Sequence, residues 1–389
     1  ARAAMAADRV AAAGIKTAGN RCPNLLSPLK IRNVMLKNRI MHTVSPNYLM
    51  QGPENYPSEA WRSHYSNMAK NAAIVSISTS FGKYPKTYPS KDDISSYSWS
   101  RISNDKWEDI PPVHNYVDRM VEDIHCEGSL VLFGGDTGSG GGGAMSNRAA
   151  GSQGGMPGGA TAGQGGAPGG AAGSQGGMPG GGGMPGQAQT SKSVEDISKE
   201  AKEYEANGYD VYEMGTPSLE AVQAVRNATN LIIMGHIRAG GRRTGGTDSN
   251  SNKPTASELE QIVESARKLE GLVDFVRIGG GSYGNWLYQK DELLPPYYYA
   301  EAIKKAGLKV LICAGGGFYD PIKNDEYIAR GITDMVGMTR PLFADPDLVK
   351  KVAAGRPDDV IPCIQCQNCH GISMTTGPYY ATCDVNPKW

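Results

Sequence analysis

Eight short apolar runs, each trailed by an amphipathic segment, constrain this chain more than any other feature. The runs are Arg39–Val44, Ala73–Thr79, Ser129–Phe133, Tyr209–Met214, Leu231–His236, Val273–Ile278, Lys309–Cys313 and Asp334–Met338. They are mostly unalternating, as strands buried on both faces should be. The helical candidates between them are Ser58–Lys70, Val113–His125, Val194–Asn207, Leu219–Asn227, Ser257–Leu269, Tyr298–Ala306, Ile322–Arg330 and Pro346–Ala354. Eight strand–helix units predict an α/β fold, a closed (β/α)8 TIM barrel, with its chemistry at the C-terminal ends of the strands. The rival is an open doubly wound sheet. No strand here leads into a G-x-G-x-x-G turn with an acidic residue about twenty positions on, which favours the barrel.

One stretch interrupts the pattern after the third strand. Glycine is used 51 times, and the excess is local. From Gly134 to Gly186 the chain is nearly all Gly, Ala, Ser, Gln, Met and Pro, and Gly-Ser-Gln-Gly-Gly-Met-Pro-Gly-Gly occurs at both Gly151–Gly159 and Gly173–Gly181. Such a segment cannot bury enough apolar area to offset its chain entropy. It reads as a floppy insertion, or alternatively as a Met-bearing docking surface. Lengthening a connection from about six to about fifty residues adds only about 2 kcal/mol of closure cost, which a stable barrel tolerates. The expected organisation is an N-terminal extension at 1–23, a barrel at 24–360 with the Gly-rich insertion at 134–190, and a cysteine segment at 361–389. Ala1–Gly19 begins without methionine and reads as a trimmed piece or the remnant of a processed leader.

Charge excludes some partners. The 39 basic residues balance the 39 acidic ones, so net charge gives no reason to expect a nucleic-acid or membrane-surface partner. No apolar run approaches the ~18 residues of a spanning helix.

Four of the seven cysteines crowd into the tail as C-x2-C-x2-C-x13-C: Cys363, Cys366, Cys369 and Cys383. Three thiolates this close can fold around one metal centre, and a fourth can close it from a short loop. Iron–sulfur clusters are held this way. Four cysteines also suit a structural zinc ion. A disulfide framework fits poorly, because it belongs to small domains that lack a core.

The seventh strand ends in Ala314-Gly315-Gly316-Gly317, and the eighth in Gly337-Met338-Thr339-Arg340-Pro341. A glycine run bares backbone N–H groups, and an arginine at the neighbouring strand end adds a cationic fork. Together they predict a phosphate cradle where barrels favour one.

Leu25-Leu26-Ser27-Pro28-Leu29-Lys30-Ile31 followed by Leu36-Lys37-Asn38-Arg39-Ile40 resembles the opening of the old yellow enzyme family. The stretches Ala314–Gly317 and Gly331–Pro346 resemble its flavin phosphate region, and the tail ending Cys383-Asp-Val-Asn-Pro387 resembles its iron–sulfur branch. That branch holds 2,4-dienoyl-CoA reductase, enoate reductases and related NADH:flavin oxidoreductases. The resemblance implies FMN in the barrel and a 4Fe–4S cluster on the four cysteines. It implies electrons passing from NAD(P)H to FAD, to the cluster, to FMN and to a small unsaturated substrate. In the branch the FAD and nucleotide sites follow the cluster. This chain ends at Trp389, so a further C-terminal module or an electron-donating flavoprotein partner is expected to supply them. An oligomer is expected as well.

Carried over by position, Thr43, Val44, Ser45 and Pro46 pass under the flavin, and Ala72 and Ala73 let the ring approach. Gly315, Gly316, Gly317, Thr339 and Arg340 clamp the phosphate, although the family usually has glycine at Thr339. An arginine usually ends the fifth strand beside the flavin pyrimidine. His236 takes that register here, with Arg238 beyond it; a cation there would stabilise reduced flavin. A histidine merely buried in the barrel interior is the alternative.

The departures fall on the substrate side. Phe133-Gly134-Gly135-Asp136 replaces the usual flavin-contacting Gln and His. Glu213-Met214-Gly215-Thr216-Pro217-Ser218 lacks the usual carbonyl-binding pair and the tyrosine acid. Without a donor at the carbonyl, hydride addition loses its main electrostatic help. Tyr283, after the sixth strand, is the candidate replacement acid, or else a rim residue that only packs; Tyr48 is another candidate. Two functions follow. One is an FMN- and cluster-dependent reductase of an activated C=C. The other is a catalytically degenerate electron-transfer or scaffold subunit. A nicotinamide-fed cluster suits the cytoplasm, whereas the trimmed-looking N-terminus and the insertion suit export in folded form across a bacterial inner membrane.

Overall fold

The eight expected strands close into one parallel barrel in the computed structural model. The structure describes residues 21–43, 59–77, 111–133, 192–238, 253–279, 295–315, 320–364 and 383–386, positions 293, 366 and 369, and the backbone of four two-residue strands. The Gly-rich insertion lies outside the described residues.

The barrel strands are β1 (Ile40–His42), β2 (Ile74–Ile77), β3 (Leu130–Phe133), β4 (Val211–Met214), β5 (Ile232–Arg238), β6 (Phe275–Gly279), β7 (Leu311–Gly315) and β8 (Met335–Met338). Each pairs with its sequence neighbours, and β8 returns to β1 through Val336↔Ile40 and Met338↔His42. The outer ring holds α1 (Glu59–Asn71), α2 (Pro111–Cys126), α3 (Val194–Ala206), α4 (Leu219–Ala228), α5 (Ala256–Leu269), α6 (Pro295–Lys305) and α7 (Pro321–Ala329). Local chemistry starts these helices. Ser193, Ser218 and Thr255 cap α3, α4 and α5, Thr255 in a full capping box with Glu258, and Asp320 caps α7 ahead of Pro321.

The eighth helix differs from expectation. Pro346–Ala354 is not one helix: α9 covers only Leu348–Ala353, and a separate five-residue helix, α8 (Arg340–Ala344), leaves β8 directly. Proline at 346 lacks an N–H and disfavours helical backbone at Asp345, which is extended.

The barrel interior is stacked in two kinds of layer. Met41, Ile74, Leu132, Val211, Met234, Phe275, Cys313 and Met335, one from each strand, pack together as an apolar plug. An antiparallel hairpin of Leu29–Ile31 and Val34–Leu36 adds Ile31 and Leu36 to this plug at its N-terminal end. Arg32 turns the hairpin at φ 51° and donates to the carbonyl of Leu231 at 2.8 Å, fixing it beneath β5.

Two residues further along each strand, the side chains face inward again. Those positions carry Thr43, Ser76, Glu213, His236, Arg277, Gly315 and Gly337. The mouth of the barrel is therefore polar, charged or empty of side chain, directly above an apolar plug.

Candidate flavin and cysteine sites

The mouth layer contains a buried ionisable pair. His236 Nδ1 and Glu213 Oε1 are 2.8 Å apart, and the two side chains are 8% and 7% exposed. An ionised carboxylate only accepts, so the pair places the proton on Nδ1 and fixes the ring. The other nitrogen lies against Gly279, where a Cβ would stand 2.8 Å from Nε2. Glycine is thus needed at 279 for the imidazole to fit. Arg277, paired in register with His236, lines the same side, and its buried Nε has no hydrogen-bond partner. Ser76 Oγ in the same layer is likewise buried without a partner. These buried polar atoms are free to bond a polar group bound in the mouth.

Glycines clear the opposite wall. Gly315 and Gly337 pair across β7 and β8, and a Cβ on Gly337 would come within 2.9 Å of both the Gly315 Cα and the Thr43 Cγ2. Their first requirement is the close approach of two strands, which the sequence reading as a phosphate cradle did not foresee. Gly316 and Gly317 lie outside the described residues, as do Val44, Ser45 and Tyr283. Ala73, which precedes β2, is buried within the apolar plug.

Thr339 and Arg340 lie against different neighbours. The Thr339 hydroxyl donates to the carbonyl of Thr43 at 2.7 Å, and the two hydroxyl oxygens are 2.6 Å apart. That bond joins β8 to the end of β1. Arg340 instead lines a pocket with Cys363, Cys366, Cys369 and Cys383, together with Phe343, Ile364 and Val385. The four tail cysteines therefore meet at one place, against the helix that leaves the mouth. Cys363 and Cys369 are buried, Cys383 is half-buried and Cys366 is exposed. Among the described residues, no three His, Cys, Asp or Glu side chains close on a single ion. A pocket lined by four sulfurs offers the donor set of an iron–sulfur cluster or of a structural zinc ion. Burial pushes the Cys369 thiol up to about 12, nearby Cys363 adds to this, and the Arg340 charge opposes it.

Two side chains absent from the sequence reading hold the loop in place. Asp345, 2% exposed, accepts from the Ile361 backbone N–H at 2.8 Å and from Lys351 Nζ at 2.7 Å. It thereby sets the chain's entry to Cys363. Asn386 donates through Nδ2 to the Phe343 carbonyl at 2.7 Å and bridges back to Cys383, tying the fourth cysteine to α8. The Cys-Asp-Val-Asn run holds the signal for Asn386. Only the fold links Asp345 to the loop.

Behind Phe343 lie two buried histidines. His64 stacks on Phe343 with centroids 4.9 Å apart, and His42 meets His64 edge-on at 6.1 Å. Burial pulls the His42 imidazole down to about 3, with the Arg277 charge also lowering it, and burial lowers His64 as well. Both are neutral spacers.

No protein-family model matches the chain. Over 151 residues it is 31% identical to the cinnamate reductase of Clostridium sporogenes, a match covering 37% of this chain and 22% of that protein. Over 169 residues it is 30% identical to the metal reductase of Desulforamulus reducens, covering 42% and 24%. The matched stretches thus span less than a quarter of these relatives' length. Among solved structures, a 2-naphthoyl-CoA reductase complex superposes with a TM-score of 0.58 at 16% identity, covering 94% of this chain and 57% of that one. At that identity the superposition speaks for the fold alone. With the opening motif, the barrel and the cysteine tail, these matches fit the old yellow enzyme family and its iron–sulfur branch.

Proposed function

We propose that this chain is the barrel and cysteine-centre part of a flavin-dependent oxidoreductase. It holds FMN in the mouth of the barrel and a 4Fe–4S cluster on Cys363, Cys366, Cys369 and Cys383. It reduces an activated C=C of a small unsaturated substrate, and its electrons come from an FAD- and NAD(P)H-binding module or partner. One observation carries this reading: all four tail cysteines line a single pocket whose wall is α8, the helix that starts where β8 reaches the mouth. The relatives named as reductases support the reaction class.

The residues present fit both groups. Gly279, Gly315 and Gly337 leave the mouth clear of side chains on three successive strands. Arg277 Nε and Ser76 Oγ offer unpaired hydrogen-bonding atoms there. Bound FMN would supply hydride transfer, and the cluster single-electron transfer. The chain's own part is positional. Glu213 orients His236, the apolar plug excludes water from below, and Asp345 and Asn386 hold the cysteine loop. Tyr283 is proposed as the proton donor to the substrate carbon.

The degenerate-subunit reading draws on one specific observation. Ser218, a hydroxyl near the expected carbonyl site after β4, already caps α4 by accepting from the Ala221 N–H at 3.2 Å. The test is anaerobic reconstitution with FMN, iron and sulfide, followed by chemical reduction and a panel of unsaturated acids and ketones. Reoxidation by one class of compound is expected. Bound flavin that no compound reoxidises would leave the subunit reading standing, and a protein that takes up neither flavin nor iron would sink both.

A further inference from the structure

The mouth of the barrel carries its charge on one side. In the inward-facing layer above the apolar plug, β4, β5 and β6 present Glu213, His236 and Arg277, whereas β7 and β8 present Gly315 and Gly337. The sequence points to His236 as the cation of this wall, but its bond to Glu213 denies it that part. A neutral imidazole has no charge, and the charge of a protonated one is cancelled by the carboxylate 2.8 Å away. Arg277 stays charged. Among the described residues it makes no ion pair, and its buried Nε has no hydrogen-bond partner.

Three nitrogens of this wall gather around one point. A Cβ at position 279 would lie 2.8 Å from His236 Nε2 and 3.7 Å from both Nε and Nη2 of Arg277, and glycine leaves that space empty. With the His236 proton held on Nδ1 by Glu213, Nε2 is an acceptor, while the two arginine nitrogens are donors. The patch therefore offers two charged donors beside one acceptor. A phosphate dianion only accepts, so it would meet the Nε2 lone pair with no proton to share. The pyrimidine edge of a flavin ring has the complementary order: N1 and the C2 carbonyl accept, and N3–H donates.

We infer that Arg277 is the cation at the pyrimidine edge of the flavin, and that His236 Nε2 accepts from N3–H beside it. This deepens the reading of the mouth as an FMN site and rests on it. Reduction places negative charge at N1, and a fixed guanidinium there favours the reduced form. The charge thus comes from the sixth strand rather than the fifth, while Glu213 keeps His236 turned as an acceptor.

The full chain, reconstituted anaerobically with FMN, tests this with Arg277→Gln and Arg277→Lys beside the unchanged protein, and with 3-methyl-FMN as a second ligand. Fluorescence titration reads flavin affinity, and spectroelectrochemical titration reads the flavin midpoint potential. The expected results are a more negative flavin midpoint in Arg277→Gln, largely restored in Arg277→Lys, and 3-methyl-FMN bound about tenfold or more weakly than FMN by the unchanged chain. An unchanged midpoint in Arg277→Gln, with FMN affinity falling about tenfold or more, would send the arginine to the phosphate and overturn the inference. A midpoint and an affinity that both stay the same would overturn it too. So would 3-methyl-FMN bound as tightly as FMN, a comparison that needs no substitution and holds even where Arg277→Gln does not fold. An unchanged chain that takes up no flavin would sink the FMN reading itself, whereas each of the other failures leaves flavin bound and strikes the inference alone.

Discussion

Gly315 and Gly337 stand opposite each other on β7 and β8, so close that a Cβ on Gly315 would lie 2.8 Å from the Cα of Gly337. The obstacle is backbone, not a side chain that can rotate away. Gly337→Ala would also press on Thr43. Overpacking of this kind typically costs about 1–3 kcal/mol. Urea unfolding of Gly315→Ala and Gly337→Ala should show losses in that range, with FMN binding weakened in parallel. Stability equal to that of the unchanged chain would mean that the strands separate freely and that the close approach carries no weight.

The Asn386–Phe343 bond predicts a local defect. Asn386→Ala leaves a buried carbonyl without its donor, a cost of about 1–3 kcal/mol. Because the bond joins the loop of the fourth cysteine to α8, the expected loss is in iron retained per chain, with little change in the melting temperature of the barrel. Full iron occupancy in the variant would show that Cys383 is held by other means.

Much of the barrel was legible in the sequence, and the reason is physical. A strand buried on both faces must be apolar throughout, so each of the eight appeared as a short run, and the structure moved its ends by only a few residues. Helices α3, α4 and α5 showed as amphipathic segments at Val194–Asn207, Leu219–Asn227 and Ser257–Leu269, close to their observed bounds. Helix α8 did not, because five residues are too few for a periodic signal. The cysteine spacing made the centre visible, but its supports were hidden. Asp345 acts on Ile361 and Asn386 on Phe343 only through the fold. The Glu213–His236 pair was hidden for the same reason: it joins two strand ends 23 residues apart. Arg340 was seen as a cation, but the group it faces depends on where the tail returns.

That pair gives a comparison between two variants. Glu213→Gln keeps an acceptor for His236 Nδ1–H, whereas Glu213→Ala leaves it without one. Chemical denaturation should find Glu213→Ala less stable than Glu213→Gln by about 1–3 kcal/mol. Equal losses would assign the effect to the carboxylate's charge rather than to its bond with His236.

Acid should weaken the fold through His42. Burial holds its imidazole at about 3 in the folded chain, against an ordinary value of 6.5, so the unfolded chain takes up a proton first. Stability from this source is complete above about pH 6.5 and drains away as pH falls towards 3. At about 1.36 kcal/mol per unit, the loss between pH 7 and pH 5 is about 2 kcal/mol. His42→Phe suits the aromatic surroundings of His64, Tyr65 and Phe343 and should remove that part of the drop. An identical fall between pH 7 and pH 5 in both proteins would refute it.

The hairpin that carries Ile31 and Leu36 into the apolar plug has a consequence for traffic. It stoppers one end of the barrel, so anything small enough to reach the inward-facing histidine and arginine must come and go by the opposite rim. The cysteine pocket adjoins that same rim, with Ile361 and Ile364 left 41% and 45% exposed beside it. A partner resting on those two isoleucines would stand beside that same rim.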